Sequence, residues 1–275
     1  MATDLDATSI DAAVRGPLGK PFRYFDEIGS TNTEALGWAA DGAPEGALVV
    51  ADHQTQGRGR WGRSWFSAPG SLLQFSLILR PDMPLDRLGL LTTALGVACA
   101  DVVEVVAGIP TDLKWPNDVM VRGRKLAGIL VESRVTGARI DAAVAGVGIN
   151  VSWDRSAAPD EIAERATSIA SEAGASLPRA ELLARVLASF ESLYAAARDP
   201  ERSATVIDRA TQRSQVLGRD VTVRYSDGRT VEGMATRLLA NGALELDIDG
   251  HLESIHVAEI EQLRPADGRA HRRLD

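Results

Sequence analysis

The chain lacks most of what marks secreted, disulfide-stabilised or membrane proteins. It contains one cysteine, Cys99, so an internal disulfide is excluded, and the apolar run around it indicates a core residue. Residues 1–15 have neither a basic region nor an apolar region, so they are not a secretory signal. We also find no run of about 18 apolar residues that would span a bilayer. These absences favour a cytoplasmic protein without a membrane anchor.

An excess of positive charge is also missing. The 38 acidic residues outnumber the 30 basic ones, which gives a formal net charge of −8. This balance argues against DNA as a partner, although local basic clusters can still hold a phosphate. The hydrophobic share of 45% and the charged share of 25% are typical of an ordinary folded protein. A length of 275 residues predicts one large domain with a smaller appendage.

Hydrophobic periodicity along residues 21–216 predicts an α+β domain, a mixed β-sheet flanked by helices on one side. Strands are predicted at 22–25, 46–53, 71–79, 111–115, 119–121, 125–135 and 138–151. Helices are predicted at 31–40, 85–106, 159–173, 178–197 and 201–214. Thr31 and Glu34 form a capping-box pattern for the first helix, and Gly108 is a suitable end for the second.

The pattern changes near residue 217, where apolar residues begin to alternate with polar ones. Turn signals at 226–228 and 241–242 separate four or five short antiparallel strands, enough for a small barrel over residues 217–265. Residues 1–20 are expected to form a mobile leader, and the tail 266–275 is too polar to pack.

The most conspicuous motif is the stretch 54–63, QTQGRGRWGR, which combines three glycines with three arginines. It fits G-x-G-x-x-G and nearly fits a P-loop, but neither site is expected because no helix can begin at residues 64–71. A solvated basic turn is one reading. Trp61 and Trp65 beside the arginines favour the other, a loop that binds a partly apolar ligand with an anionic end.

Two further motifs have both structural and functional readings. In the sequence KWPND at 114–118, Asn117 and Asp118 are either turn formers or groups near a phosphate, where Asp118 could hold Mg²⁺. In KLAGIL at 125–130, Lys125 is either an edge lysine that protects the sheet or a ligand contact, and Gly128 would let a ligand approach the backbone.

The order of these motifs resembles that of the biotin protein ligase family. The matching segments are Ser30-Thr31-Asn32, 54–60 (QTQGRGR), 114–118 (KWPND), 125–130 (KLAGIL) and 146–150 (GVGIN). The resemblance covers about residues 20–265 and implies a class II synthetase-like catalytic domain, as in biotin and lipoate transferases, with an SH3-like C-terminal barrel. Two features depart from the family: Gln56 replaces a small residue, and about 20 leading residues are too few for the winged-helix DNA-binding domain of some members.

The resemblance also implies roles for individual residues. It predicts biotin contacts from Ser30, Thr31, Asn32, Gln54, Gly57, Arg58, Gly59, Arg60, Lys125 and Gly128. It predicts ATP contacts from Arg60, Arg63, Lys114, Trp115, Asn117, Asp118, Lys125 and Asn150. Lys125 is the expected catalytic residue between the biotin carboxylate and the α-phosphate, while Arg58 and Arg60 close the loop over the intermediate.

The implied reaction forms biotinyl-5′-AMP from biotin and ATP with Mg²⁺, and then biotinylates one lysine of a carrier domain in an acyl-CoA or pyruvate carboxylase. The carrier is expected to dock by strand pairing at a sheet edge. The sequence leaves open whether the protein is a monomer or a homodimer. Two alternatives are a lipoate or octanoate ligase or transferase, and a non-catalytic biotin sensor.

Overall fold

The computed structural model describes residues 4–137, 139–153, 158–174, 178–257 and 260–266. Within these residues the strands are β1 (Phe22–Ile28), β2 (Leu48–Gln54), β3 (Leu72–Leu79), β4 (Asp112–Lys114), β5 (Asp118–Val121), β6 (Arg124–Thr136), β7 (Arg139–Asn150), β8 (Asp220–Tyr225), β9 (Thr230–Leu238), β10 (Leu244–Ile248), β11 (His251–Ile255) and β12 (Ile260–Pro265). The α-helices are α1 (Ala7–Ala13), α2 (Thr31–Ala40), α3 (Gly89–Ala107), α4 (Asp160–Arg165), α5 (Ile169–Ala173), α6 (Arg179–Arg198) and α7 (Ala204–Gln212).

The larger sheet is mixed, as the sequence predicts. Its strand order is β1-β2-β3-β7-β6-β5-β4. Strands β1 and β2 pair in parallel because helix α2 connects them as a crossover, whereas the remaining pairs are antiparallel. The long hairpin β6–β7 lies in the interior of the sheet and contributes backbone to the site described below.

Helices cover both faces of this sheet, which corrects the expectation of a single covered side. Alternate residues of β3 point to opposite faces. Phe75 and Leu77 belong to the large core that includes α3 and α6. Ile78 belongs to a smaller core with Ala35 and Ala39 of α2. Helix α2 covers only part of its face of the sheet, and the site described below lies on the remainder.

Helix α3 is the central helix of the core. It ends at Gly108, which adopts the left-handed conformation expected of a C-cap glycine (φ 65°). The segment Leu85–Ala107 is long and apolar enough to cross a membrane, contrary to our sequence-based expectation. However, 72% of its most apolar window is buried inside the protein, and Cys99 is fully buried in it. It therefore packs as the core helix of a folded domain.

The N-terminal segment is not the mobile leader that was expected. From Asp4 onward it is packed, and Leu5, Ile10 and Val14 are buried in the main core. Helix α1 begins with a complete capping box, in which Asp6 and Ser9 exchange hydrogen bonds of 2.7 and 2.8 Å. The prediction failed because the segment has only a few apolar residues. They contact α6, but they are too few to form a repeating pattern that the sequence alone would reveal. Residues 1–3 lie outside the described residues.

Two predicted helical features also differ in detail. The capping box at Thr31 and Glu34 is wrong although the helix is correct: Ser30 is the N-cap, Thr31 donates to Gln54, and Glu34 pairs with Arg23. The helix predicted at 159–173 is interrupted at residues 166–168, so α4 and α5 are separate. In both cases long-range partners replace the local pattern.

The C-terminal strands form a second, antiparallel sheet in the order β11-β10-β9-β8-β12. The predicted small antiparallel unit is present. Within residues 220–257 and 260–266 this sheet is open, with β11 and β12 at its ends, so the predicted closure into a barrel is not observed. The indole of Trp115 donates to the carbonyl of Gly242 (3.1 Å) and ties this sheet to the larger one. The predicted tail lies outside the described residues from 267 onward.

Candidate active site

The floor of the site is a polar patch on the face of the larger sheet that α2 only partly covers. Gln74 and Ser76 of β3 are fully buried in a strand whose other residues are apolar. Their register partners on β7 are Gly148 and Gly146. The floor thus combines two polar side chains with two positions that have no side chain.

Glycine is required at these positions because neighbouring side chains lie across them. A Cβ atom at Gly146 would come within 2.0 Å of Asn32 Oδ1, and one at Gly148 within 2.6 Å of the Trp65 ring. Gly128 of β6 pairs with Gly148, and a Cβ there would lie 3.0 Å from Lys125 Nζ and from Trp65. The three glycines therefore let Asn32, Lys125 and Trp65 pack directly against the sheet, and these side chains and glycines together line a narrow slot.

A network of hydrogen bonds joins the start of α2 to this floor. Gln54 Oε1 accepts from the backbone N–H of Thr31 (2.7 Å) and from its hydroxyl (3.1 Å). The Ser76 hydroxyl bonds to Thr31 Oγ1 (2.7 Å) and Asn32 Oδ1 (2.6 Å), and Gln54 Nε2 donates to Gln74 (2.8 Å). The buried polar groups are therefore held in fixed orientations.

Glu132 of β6 connects this network to the Gly/Arg loop, the segment of residues 57–65. Its Oε2 accepts from Asn32 Nδ2 (2.8 Å) and from Arg58 Nη2 (2.7 Å). Asn32 also donates to the carbonyl of Leu130 (3.2 Å). One carboxylate thus orients both an amide and a guanidinium at the mouth of the slot.

The Gly/Arg loop, residues 57–65, is a compact hairpin. Gly59 N–H donates to the carbonyl of Arg63 (2.7 Å), and Trp65 N–H donates to that of Gly57 (2.8 Å). A Cβ at Gly57 would lie 2.8 Å from the Trp65 carbonyl oxygen. Gly57 therefore shapes the hairpin, whereas Gly59 also lines the cleft.

The tip of this loop contacts the C-terminal sheet. Arg60 Nη2 donates to the carbonyls of Val257 (2.5 Å) and Ile260 (2.6 Å), and the Trp61 indole donates to Ile260 (2.6 Å). Burial lowers the pKa of Arg60 to about 10, so its guanidinium remains charged at neutral pH. The C-terminal sheet thus anchors the loop through backbone carbonyls.

Lys125 lies at the end of the slot, where β6 begins. Its Nζ is 2.5 Å from Asp118 Oδ1 and 5.3 Å from the centre of the Trp65 ring. Burial lowers the pKa of the nearby Lys114, although Asp118 opposes the shift. No group of three metal-ligating side chains is present in the described residues.

Most of the predicted biotin contacts meet in one cleft of about 440 Å³. The predicted residues that line it are Ser30, Thr31, Asn32, Gln54, Arg58, Gly59, Asn117, Lys125 and Gly128. An adjoining cleft of about 1490 Å³ shares Arg58, Gly59 and Asn117 with it and also contains Arg60. A third cleft, of about 340 Å³, is lined by Lys114, Trp115, Asn117 and Asp118.

Some predicted residues lie elsewhere. Asn150 is buried and donates to the carbonyls of Thr167 (2.8 Å) and Lys125 (3.4 Å), so in this structure it braces the backbone beside the site. Trp115 lines the third cleft, but it is buried and its indole nitrogen is directed to Gly242. Arg63 is exposed and lines none of these three clefts.

Several residues that build the site had no contact to a ligand assigned to them from the sequence. These are Trp65, Gln74, Ser76, Glu132, Gly146 and Gly148. One signal was available: Gln74 and Ser76 are polar, two positions apart and surrounded by apolar residues in 71–79, as expected for one polar face of a buried strand. Glu132 has no comparable signal because its partners are far away in sequence.

Several known proteins resemble this chain over most of its length. A model of the biotin/lipoate A/B protein ligase family matches residues 24–150. The chain is 38% identical over 245 residues to the bifunctional ligase/repressor BirA of Bacillus subtilis, covering 89% of this chain and 74% of that protein. It is 35% identical over 268 residues to the biotin--[acetyl-CoA-carboxylase] ligase of Mycobacterium tuberculosis, covering 94% and 96%.

Solved structures show the same relationship. A biotin protein ligase from Aquifex aeolicus, determined in complex with biotin and ATP, superposes with a TM-score of 0.77 at 28% identity. The superposition covers 90% of this chain and 100% of that one. The fold around the slot is therefore shared with a protein that holds both molecules.

Proposed function

The chain belongs to the biotin/lipoate A/B protein ligase family, and we propose that it is an ATP-dependent biotin protein ligase. It converts biotin and ATP into biotinyl-5′-AMP and pyrophosphate, and then transfers biotin to one lysine of a carboxylase carrier domain. The observation that carries this proposal is the glycine-floored slot, whose one end is lined by oriented amide and hydroxyl groups and whose other end holds Lys125.

The polar end of the slot suits the ureido ring of biotin. A cyclic urea needs donors for its oxygen and acceptors for its two N–H groups. Ser30, Thr31, Asn32 and Gln54 supply both kinds of group. These groups already bond to one another, so biotin would exchange partners with them and gain an oriented site without a large reorganisation.

The charged end of the slot suits the reacting groups. Lys125 would lie between the biotin carboxylate and the α-phosphate, where its cation reduces their repulsion as a carboxylate oxygen attacks phosphorus and pyrophosphate leaves. Arg58 would turn from Glu132 toward the new acyl phosphate, and Arg60 would keep the loop closed over it.

Contacts to the nucleotide are proposed for Lys114, Trp115, Asn117 and Asp118, which line the third cleft. Mg²⁺ would be held by Asp118 together with phosphate oxygens, and it would offset the charge of the departing pyrophosphate. An aspartate carboxylate at this place fits a hard cation, because Mg²⁺ commonly takes one or two protein carboxylates and several phosphate or water oxygens.

In the second step the carrier lysine attacks the acyl carbon of biotinyl-5′-AMP, and AMP leaves. No covalent intermediate forms on the enzyme. We propose that the carrier docks at an exposed sheet edge, that both steps occur in the cytoplasm, and that residues 217–265 form an SH3-like domain appended to a catalytic domain. The anchoring of Arg60 and Trp61 by Val257 and Ile260 supports a role for that appended domain in closing the loop.

One reaction tests the proposal directly. The protein is incubated with ATP, Mg²⁺, biotin and a purified carrier domain, and the intact mass of the carrier is measured. We expect a gain of one biotin, which is absent when the target lysine of the carrier is replaced by arginine. Lipoate in place of biotin is the parallel arm. A gain with lipoate alone, or no release of pyrophosphate with biotin, would refute the proposal.

A further inference from the structure

A buried arginine, Arg179, begins α6 and lies outside the three clefts. The side chain of Arg179 is only 2% exposed. Its Nε lies 2.7 Å from Asp4 Oδ1, and its Nη1 lies 2.6 Å from Asp52 Oδ1 and 3.1 Å from the carbonyl oxygen of Leu72. Burial alone would lower the pKa of Arg179, but its hydrogen bonds to the two aspartates outweigh burial and raise it.

On one side, Asp4 joins the N-terminal segment to α6. The N-cap of α6 is Pro178, whose side chain caps nothing. Asp4 Oδ2 accepts instead from the backbone N–H of Arg179 (3.0 Å). The carbonyl of Asp4 accepts from the backbone N–H of Ala180 (3.3 Å). A residue 175 positions away thus caps the helix and neutralises its first side chain.

On the other side, Asp52 joins Arg179 to the wall of the slot. Its second oxygen, Oδ2, accepts from the N–H of Gly70 (2.9 Å), and its carbonyl accepts from Gln74 Nε2 (3.2 Å). Gln54, two residues further along β2, is in turn held by Ser67 and Gln74. Ser67 also accepts from Gln74 (2.8 Å). The loop 66–71 and the ends of β2 and β3 therefore share one set of anchors.

We propose that Asp4, Arg179 and Asp52 act as a positioning chain for the biotin pocket, through which the N-terminal segment sets the place of Gln54 and Gln74. None of the three lines the cleft, so they are positioning residues and not catalytic ones. This inference rests on the proposed function for its kinetic consequence, but its structural consequence can be measured without that function.

The physical reason is that the chain is short, buried and charged. Removing Asp4 leaves a buried guanidinium with one carboxylate in place of two and an uncapped helix. Asp52 then bonds to Arg179 without the second anchor that fixes the direction of the guanidinium. A small displacement at Asp52 reaches the side chains that meet the ligand, because Gln54 is two residues away and Gln74 bonds to the Asp52 carbonyl.

The test compares Asp4→Ala and Asp4→Asn with Asp11→Ala in the full chain. Asp11 lies in the same segment but only forms an exposed pair with Lys20. Biotin-dependent pyrophosphate release gives KM for biotin and kcat, and amide hydrogen exchange reports the protection of residues 52–54 and 66–74. Thermal midpoints are recorded for all variants.

For Asp4→Ala we expect KM for biotin to rise roughly tenfold, with kcat within about twofold, where a tenfold change corresponds to about 1.4 kcal/mol. Exchange should increase at residues 66–74. Asp4→Asn, which keeps a cap acceptor, should be intermediate, and Asp11→Ala should match the wild type.

Unchanged KM and unchanged exchange in both Asp4 variants would overturn the inference, even if their thermal midpoints fall, because a merely structural role moves stability alone. Equal effects of Asp4→Ala and Asp11→Ala would also overturn it. If the wild type releases no pyrophosphate, the proposed function fails, and the exchange data alone then decide on the positioning chain.

Discussion

The two faces of the seven-stranded sheet use the same strands for opposite purposes. Toward α3 and α6, Phe75, Leu77 and Val147 contribute to a continuous apolar core. Toward the slot, the intervening positions Ser76 and Gly146 are polar or lack a side chain. One face is filled by the chain itself, whereas the other is kept partly open.

The difference shows where the fold places stability and where it places binding. The apolar face gains free energy from area removed from water, about 25 cal/mol per Å². The site face instead buries polar groups that must bond to one another, which yields little net stability but fixes their orientation. Changes on the first face should therefore reduce the free energy of unfolding, and changes on the second should reduce binding or catalysis.

The largest expected effect is that of Lys125→Ala at the end of the slot. Adenylate formation should fall by about 10²–10³-fold because a preorganised cation is lost where charges approach each other. Pyrophosphate release at saturating biotin and ATP measures it. The thermal midpoint should change little, since Lys125 is partly exposed.

Lys20→Ala is the matched control, because Lys20 only pairs with Asp11 at the surface. It should leave the rate unchanged. If Lys125→Ala releases pyrophosphate at the wild-type rate, Lys125 does not have the proposed catalytic role.

Substitutions at two adjacent residues of β7, one on each face of the sheet, should have smaller effects that differ between the faces. Gly146→Ala places a methyl group against Asn32, which Ser76 and Glu132 hold in place. We expect biotin affinity to fall roughly 30-fold, equivalent to overpacking by about 2 kcal/mol. Calorimetric titration with biotin measures the change.

The partner variant is Ala145→Gly, on the apolar face. It should cost about 1 kcal/mol of unfolding free energy and leave biotin affinity intact. Equal losses of affinity in the two variants would show that the faces are not independent.

The smallest effect is expected at the loop tip, where the site meets the C-terminal sheet. Arg60→Gly removes two hydrogen bonds from a buried guanidinium to Val257 and Ile260. Biotinyl-5′-AMP should then leave roughly tenfold faster, because the loop closes less often. Release is followed by chasing preformed, labelled adenylate with excess unlabelled biotin and ATP.

Arg229→Gly, at an exposed turn of the C-terminal sheet, should not change the release rate. The released adenylate should also label lysines of an unrelated protein. If neither leakage nor such labelling increases with Arg60→Gly, the loop does not retain the intermediate.

Much of the fold could be predicted because its elements carry local signals. The continuous apolar pattern of 85–106 followed by Gly108 predicted α3, and period-two alternation after residue 217 predicted the second sheet. The leader was predicted wrongly because Leu5, Ile10 and Val14 are buried only through packing with distant parts of the chain such as α6. The capping box failed because Thr31 and Glu34 have partners at Gln54 and Arg23.

The candidate site divides in the same way. Motif order indicated Asn32, Arg58 and Lys125, and the structure brings all three to one cleft. Motif order could not indicate Glu132, which accepts a hydrogen bond from Asn32 100 positions away in the sequence. Nor could it indicate that Arg60 is anchored by backbone carbonyls about 200 positions away. Backbone acceptors have no sequence signature, so such contacts emerge only from the packed chain.

The sequence by itself determined the types of element, the polar positions of β3 and the glycines of the slot, since these depend on periodicity and side-chain size. Tertiary structure decided which face α2 covers, that Arg58 pairs with Glu132, and that Asp4 reaches Arg179. The physical reason is that the spacing of apolar residues sets helices and strands through near neighbours in the sequence. Hydrogen bonds and ion pairs instead form between any groups that the fold brings within about 3 Å of each other.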